Sequence, residues 1–302
     1  HLKQCGIKQG AAMDSKSIEC FITLYRLHNM HKAADSLYIS QQGLSRVIQN
    51  LEREFEVQLF DRRKTGMFPT KAGDIFYQYA VKFSSETARL KRELYSVSTG
   101  KEEIRLACAY GSLHILYPYI RSFMKDFPEY QIKWAEYTDV ETERQLQEDS
   151  ADLAFCVKKD ESVEFETYPL FSKNVMVLVY EDHPLWNKKE ISFQDLQNEK
   201  IILEGPEFHI FSSFQKKCLD AGFYPEIAAQ TTEINLCHKL CRMKEVLGIT
   251  IDFIAQMHQI PQVKAIPFKD PAFTWEVYMA VKKREALPKG AGAFWKYLTA
   301  LF

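Results

Sequence analysis

Residues 30–55, MHKAADSLYISQQGLSRVIQNLEREF, constrain this chain more than any other stretch. They divide into a short helix, a tight turn and a second helix whose two faces differ in chemistry. On the second helix Leu44, Val47, Ile48, Leu51 and Phe55 recur at i, i+3, i+4, i+7 and i+11, one apolar stripe. The opposite face carries Gln41, Gln42, Ser45, Arg46 and Gln49, side chains able to hydrogen-bond base edges or phosphates. Ser40 stands where a helix N-cap is wanted, and Ala33 and Ala34 are small enough for the preceding helix to pack closely. An amphipathic helix with an ordinary solvated face would explain the stripe alone, but three neighbouring features favour a helix-turn-helix. Upstream, Ile18, Phe21, Ile22 and Tyr25 form the further stripe that a three-helix core needs. Downstream, LFDRRKTG (residues 59–66) is a basic loop with a turn glycine, placed as a wing, and its Arg62, Arg63, Lys64 and Thr65 are candidate phosphate contacts. Beyond it, Thr70-Lys71-Ala72-Gly73 opens another long helical run. The pattern predicts a winged helix-turn-helix over 13–70, with residues 40–55 as the helix that enters the major groove of double-stranded DNA.

From Lys71 to Val97, Phe76, Ala80, Phe83, Thr87, Leu90 and Leu94 alternate steps of four and three, which is heptad spacing. No proline or glycine interrupts the run after Gly73. Such a seam packs either on its own N-terminal domain or on the same helix of a second chain. A small winged domain offers too little surface for the first option, so residues 71–98 are expected to be a dimerisation helix. A two-fold dimer would present two recognition helices to an inverted repeat.

After Ser98-Thr99-Gly100 the texture changes to alternating short strands and helices. Strands are expected at 104–109, 131–136, 151–157, 175–180, 200–203, 226–231, 247–251 and 274–281, and helices at 113–125, 140–147, 211–221, 234–243 and 291–301. This βαβ order predicts two α/β subdomains, about 101–160 with 270–302 and about 161–269. Paired crossovers near 158–175 and 265–275 would join them. In open α/β sheets ligands bind outside the carboxyl ends of the strands. Those ends supply Tyr110, Gly111, Ser112, Thr138 and Cys156 from one subdomain, and Glu204, Thr231, Thr232 and Thr250 from the other. Backbone N–H groups beside the Ser112 hydroxyl suggest a cradle for a carboxylate or phosphate. Glu204, an acceptor, suits a cationic or hydroxyl-bearing ligand instead. Capping and turn chemistry would account for any one of these residues, but together they predict a cleft for a small-molecule effector.

Hydrophobic residues make up 46% of the 302 and charged ones 26%, which fits an ordinary globular chain of two or three domains. The net charge of −1 hides an asymmetry. Residues 13–100 hold 13 Lys/Arg against 10 Asp/Glu (+3), and residues 101–302 hold 24 against 30 (−6), which suits a phosphate-binding module joined to one that avoids phosphates. No run of apolar residues is long enough to span a bilayer, so no membrane partner is expected. The first twelve residues, HLKQCGIKQGAA, lack the apolar core of an export signal and are expected to be a leader or extension before a natural start at Met13. The seven cysteines are accordingly expected to be reduced in a cytoplasmic protein. Cys237-His238-x-x-Cys241 suggests a metal site at first sight. On a helix, however, His238 points away from the cysteine face and no second ligand cluster follows, so no metal or cofactor is expected. No phosphate loop, nucleophile elbow or zinc-protease spacing appears, which argues against an enzyme.

AADSLYISQQGLSRVIQNLEREFEVQLFDR followed by TKAGDIF resembles the N-terminal domain of LysR-type transcriptional regulators. The likeness continues in the family's order and spacing through IRLACAYGSLHILYPYIRSF, ADLAFCV, YEDHPL and LGITIDF, so that it covers residues 13–302. Two positions depart from the family pattern: Pro69, where a leucine usually precedes the threonine, and Asp252, which replaces a proline-containing ending. The resemblance implies a periplasmic-binding-protein-like effector domain and effector contacts at the strand ends named above. It also implies dimers through the linker helix, tetramers built from them, a bacterial cytoplasm, and RNA polymerase as a candidate partner. Peroxide-sensing members carry a cysteine pair in the second subdomain. Cys218 occupies the place of one, but His209 lies nine positions earlier and the expected partner is missing. A redox-responsive regulator is therefore the alternative within the family, and a solute-binding protein or an enzyme the alternatives outside it.

Overall fold

The computed structural model describes residues 13–157, 164–283 and 287–302. The expected leader with Cys5, and residues 158–163 of the first crossover, lie outside the described residues. Among the described residues no helix is long and apolar enough to cross a membrane. The chain divides after Thr99 into two compact units.

The first unit opens with α1 (Ser15–Leu27), α2 (Met30–Ser36) and α3 (Gln41–Glu54). Each start has a side-chain cap: Asp14 accepts from Ser17 N at 2.7 Å, Asn29 from Lys32 N at 3.0 Å and Ser40 from Gly43 N at 3.0 Å. The predicted stripes meet as a core in which Ile18, Phe21, Leu24, Ala33, Ala34, Leu44, Ile48 and Leu51 are almost wholly buried. β1 (Phe60–Arg63) and β2 (Gly66–Pro69) then pair antiparallel as the wing. Gly66 has φ +145, and a Cβ there would lie 2.3 Å from the His28 carbonyl oxygen, so the wing approaches α1 more closely than any side chain allows.

Helix α4 (Lys71–Thr99) starts where Thr70 Oγ1 accepts Gly73 N at 3.1 Å. The expected seam divides along its length. Phe76 packs edge-on to Phe21 at 4.6 Å and to Phe55 at 5.2 Å, and Ala80 is 2% exposed, so both belong to the unit's own core. Phe83, Leu90 and Leu94 stay exposed. The helix also exposes Ile75, Tyr79 and Val97, and at 3.6 residues per turn these six residues fall within an arc of about 100°. The exposed stripe keeps Phe83, Leu90 and Leu94 of the heptad the sequence suggested and widens it, while the first turns of that heptad, Phe76 and Ala80, are consumed by the winged domain.

In the second unit come β3 (Glu102–Ala109), α5 (Leu113–Asp126), β4 (Tyr130–Tyr137), α6 (Asp139–Gln147), β5 (Leu153–Val157) and β6 (Phe165–Tyr180). There follow β7 (Lys200–Glu204), α7 (His209–Asp220), β8 (Glu226–Thr231), α8 (Ile234–Arg242), β9 (Leu247–Ile251), α9 (Asp252–Met257), β10 (Val263–Pro267), β11 (Thr274–Lys282) and α10 (Lys289–Thr299). The sheet order is β4-β3-β5-β11-β6-β9-β7-β8, with β10 also on β6. Pairs β3–β4, β3–β5, β7–β8 and β7–β9 are parallel, and every pair involving β6 is antiparallel.

Two lobes share β6. Its residues 165–174 pair with β11 in the first lobe, and 175–180 pair with β9 and β10 in the second. The passage between lobes therefore falls at Asn174–Val175, at the far end of the expected 158–175 crossover. The sequence hid the first half of β6 because Pro169 lies inside it. The register against β11 slips between Val277 and Tyr278, beside Pro169, and such a bulge is where a strand accommodates a residue without an N–H. Asp252, the departure noted above, accepts Asn174 N at 3.1 Å and so helps hold this passage.

Candidate nucleic-acid interface and ligand cleft

On α3 the burial of Leu44, Ile48 and Leu51 forces Gln41, Gln42, Arg46 and Gln49 outward, where all four are exposed. Ser45 is half-buried and lies 3.5 Å from Gln49 Nε2. Ser40 spends its oxygen lone pair on Gly43 N but keeps its O–H for another acceptor. The wing's Arg62, Arg63, Lys64 and Thr65 are exposed as well, with the Arg63 guanidinium 4.9 Å from the centre of the Phe68 ring. Glu52 Oε1 fixes the wing to α3, accepting Leu59 N at 2.8 Å and Phe60 N at 3.2 Å. Nothing in the sequence marks Glu52 for this role, because a helical glutamate has no signature of it. Tyr38, equally unmarked in the sequence, stands 96% exposed at φ 55 in the turn between α2 and α3.

In the second unit a cavity of about 220 Å³ collects strand ends from both lobes. Tyr110 and Gly111 beyond β3, Glu204 ending β7, and Thr232 beyond β8 line it, four of the nine positions named from sequence. The other five do local work. Ser112 is fully buried and donates its hydroxyl to the Ala109 carbonyl at 2.6 Å. Ser112, His114 and Ile115 also give their backbone N–H groups to the Ala109, Gly111 and Ser112 carbonyls, so three N–H groups of the expected anion cradle are already engaged. Thr138 caps α6, and Thr231 accepts Glu233 N at 2.9 Å in a tight turn. Cys156 packs under α6 with Ala107, Leu146 and Ala280, and Thr250 is bonded to His238 Nε2 at 2.9 Å inside the second lobe.

Residues that sequence order could not gather complete the lining, notably His114, Glu136, Asp139, Phe208, Asn235 and Trp275. Glu204 is 8% exposed, carries no side-chain hydrogen bond among the described residues, and is pushed up to about 8, first by burial and then by the Asp139 charge. Burial likewise raises Asp139 to about 6, although its Oδ2 accepts His209 N at 2.8 Å. His209 Nε2 lies 2.7 Å from Glu143 Oε1, tying α7 of the second lobe to α6 of the first. A larger hollow of about 540 Å³ between α9 and β10 collects no strand ends from the first lobe.

All six described cysteines are buried. Burial drives the Cys218 and Cys241 thiols up to about 12 and those of Cys108 and Cys237 upward as well. Among the described residues no group of three or more His, Cys, Asp or Glu is placed to hold a metal ion.

A winged helix-turn-helix with an exposed reading face, and a two-lobed α/β unit with a cleft at its strand ends, together define a two-part transcriptional regulator. Residues 98–302 match the LysR substrate binding domain and residues 15–74 the bacterial regulatory helix-turn-helix protein, lysR family; the chain belongs to the LysR family of transcriptional regulators. It is similar to the HTH-type transcriptional regulator BenM of Acinetobacter baylyi, 29% identical over 283 residues that span 90% of this chain and 91% of that one. It is also 28% identical, over 197 residues, to a hydrogen peroxide-inducible genes activator of Pectobacterium carotovorum, spanning 63% of this chain and 64% of the relative. Full-length BenM has a solved structure of TM-score 0.58 and 26% identity, covering 96% of each chain. CbnR, a LysR family regulator, shares the fold at TM-score 0.64 and 17% identity over 95% of this chain and 99% of its own.

Proposed function

We propose that this regulator binds an inverted-repeat promoter site as a homodimer and answers to a small molecule held between the two lobes of its second unit. One observation carries the reading: α3 buries one face and leaves Gln41, Gln42, Arg46 and Gln49 exposed beside an anchored basic wing. In this reading Arg62, Arg63, Lys64 and Thr65 bind phosphate, while the α3 side chains with Ser40 and Ser45 address base edges and adjacent backbone. The exposed stripe on α4 pairs with its copy, and tetramers form from dimers as the family implies. The chain acts in the cytoplasm, with RNA polymerase as a candidate partner, and it binds its effector without chemical turnover and without a resident cofactor or metal. A thiol switch is disfavoured because burial keeps Cys218 protonated.

The test is a footprint of the full-length protein on DNA upstream of its own gene. Protection over an inverted repeat that disappears in Arg46→Ala is the expected result. No protection at low salt on that fragment or on random DNA would overturn the reading.

A further inference from the structure

The polar lining of the cavity between the lobes is rich in acids, with His114 and His258 beside them. Four carboxyl-bearing residues, Glu136, Asp139, Glu204 and Glu233, face it, and no lysine or arginine does so among the described residues. Glu204 is more than nine-tenths buried and has no hydrogen-bond partner for its carboxyl among the described residues. A second orphan stands on a different element: Asn235 Oδ1, on α8, is buried without a partner. Asn235 Oδ1 is an acceptor, Glu204 becomes a full acceptor as it gives up its proton beside a cation, and a buried acceptor left unmatched costs free energy that a donor would recover. An ammonium group brings three donors and a positive charge and offers no acceptor. Around these acceptors Tyr110, Phe208, Trp275, Ile251 and Ile254 supply apolar and aromatic wall, of the kind that also attracts cations over ring faces. The volume of about 220 Å³ falls below the ~300–1,000 Å³ of drug-sized sites.

We infer that the effector is a small organic ammonium ion with an apolar body, its charged head at Glu204 and Asn235 and its body against Tyr110, Phe208 and Trp275. This rests on the reading of the second unit as an effector domain and specifies what that domain accepts. A carboxylate or phosphate effector meets four acids and, among the described residues, no lysine or arginine. A nucleotide is too large for the cavity.

The experiment is a thermal-shift and calorimetric titration of the full-length protein with ethylamine, butylamine and phenethylamine, against 2-phenylethanol and 3-phenylpropanoate as neutral and anionic matches. At least one amine should raise Tm and bind at least tenfold more tightly than its alcohol and carboxylate counterparts. Glu204→Gln should lower that affinity tenfold or more, and Asn235→Ala should lower it without altering the melting of the unliganded protein. The assignment is overturned if no amine binds at millimolar concentration, if the carboxylate binds as well as the amine, or if both variants bind like the parent. The same amine is added to the footprint. Sequence-specific protection without any amine binding would sink the ligand class and leave the regulator standing. Amine binding by a protein that protects no DNA would do the reverse.

Discussion

Glu204 makes a wager on pH. Its folded value of about 8 exceeds the ordinary 4.5, so between those limits the folded chain holds a proton that the unfolded chain releases. Its contribution to stability is complete below about 4.5 and is lost as pH rises through 8, with a slope of at most ~1.4 kcal/mol per pH unit. His238 has the opposite sign: burial lowers it from 6.5 to about 4, so the unfolded chain binds the extra proton and stability climbs across that window. Urea denaturation should therefore show a decline from pH 6.5 to 8 that Glu204→Gln flattens; an unchanged decline would reassign it to other groups. At this scale the sequence was half legible. Tyr110, Gly111, Glu204 and Thr232 could be named because strand ends face the crevice of an α/β sheet. Ser112, Thr138, Thr231 and Thr250 fill hydrogen bonds with near neighbours, which spacing does not record. Asp139, Asn235 and Trp275 enter the cavity from distant stretches that only the folded sheet brings together.

Among the elements, α3 and the wing should separate two kinds of contact. Lys64→Ala is expected to weaken binding alike on cognate and random DNA and to lower the salt slope by about one. Arg46→Ala should cost roughly 1–3 kcal/mol on the cognate site and little elsewhere. Titrations of both sequences at several salt concentrations measure this, and equal losses would remove Arg46 from the base-reading set. For α4, Leu90→Asp removes one exposed leucine from each copy of the stripe. At ~2 kcal/mol per buried leucine, the dimer should weaken on the order of a thousandfold. Sedimentation equilibrium reads the change, and an intact dimer would move the interface elsewhere. Periodicity located α4 and the exposed Phe83, Leu90 and Leu94, but it also counted Phe76, which packs on Phe21 and Phe55, and Ala80, which is buried in the same core. The heptad recorded the helix and not the allocation of its surface.

Across the whole second unit, the tie from Glu143 to His209 and the bond from His209 N to Asp139 close one side of the cleft. The tie is partly solvated, with side-chain exposures of 32% and 20%, and a hydrogen bond of that kind contributes about 0.5–1.5 kcal/mol. Glu143→Ala should thus speed amide exchange at residues 139–142 and 207–211 by roughly two- to tenfold. Unaltered exchange would mean the lobes are held together elsewhere. The two-lobed plan itself was legible as two cycles of strand and helix. The first half of the strand that spans their seam was not legible, because a proline inside β6 disguised it.

That shared strand has a mechanical meaning. The returning chain runs antiparallel to β6 on both sides of the passage, Val263–Pro267 against 176–180 and Thr274–Lys282 against 165–174. The lobes are therefore joined by a two-stranded ribbon, with residues 268–273 as its excursion. A hydrogen-bonded ribbon resists stretching and gives way to torsion, since each residue fixes ~3.3 Å of length while the twist between strands varies widely. The aperture of the cleft is bounded by a length of backbone, and a molecule that drew the lobes together would act on it as a torque instead of a change in reach.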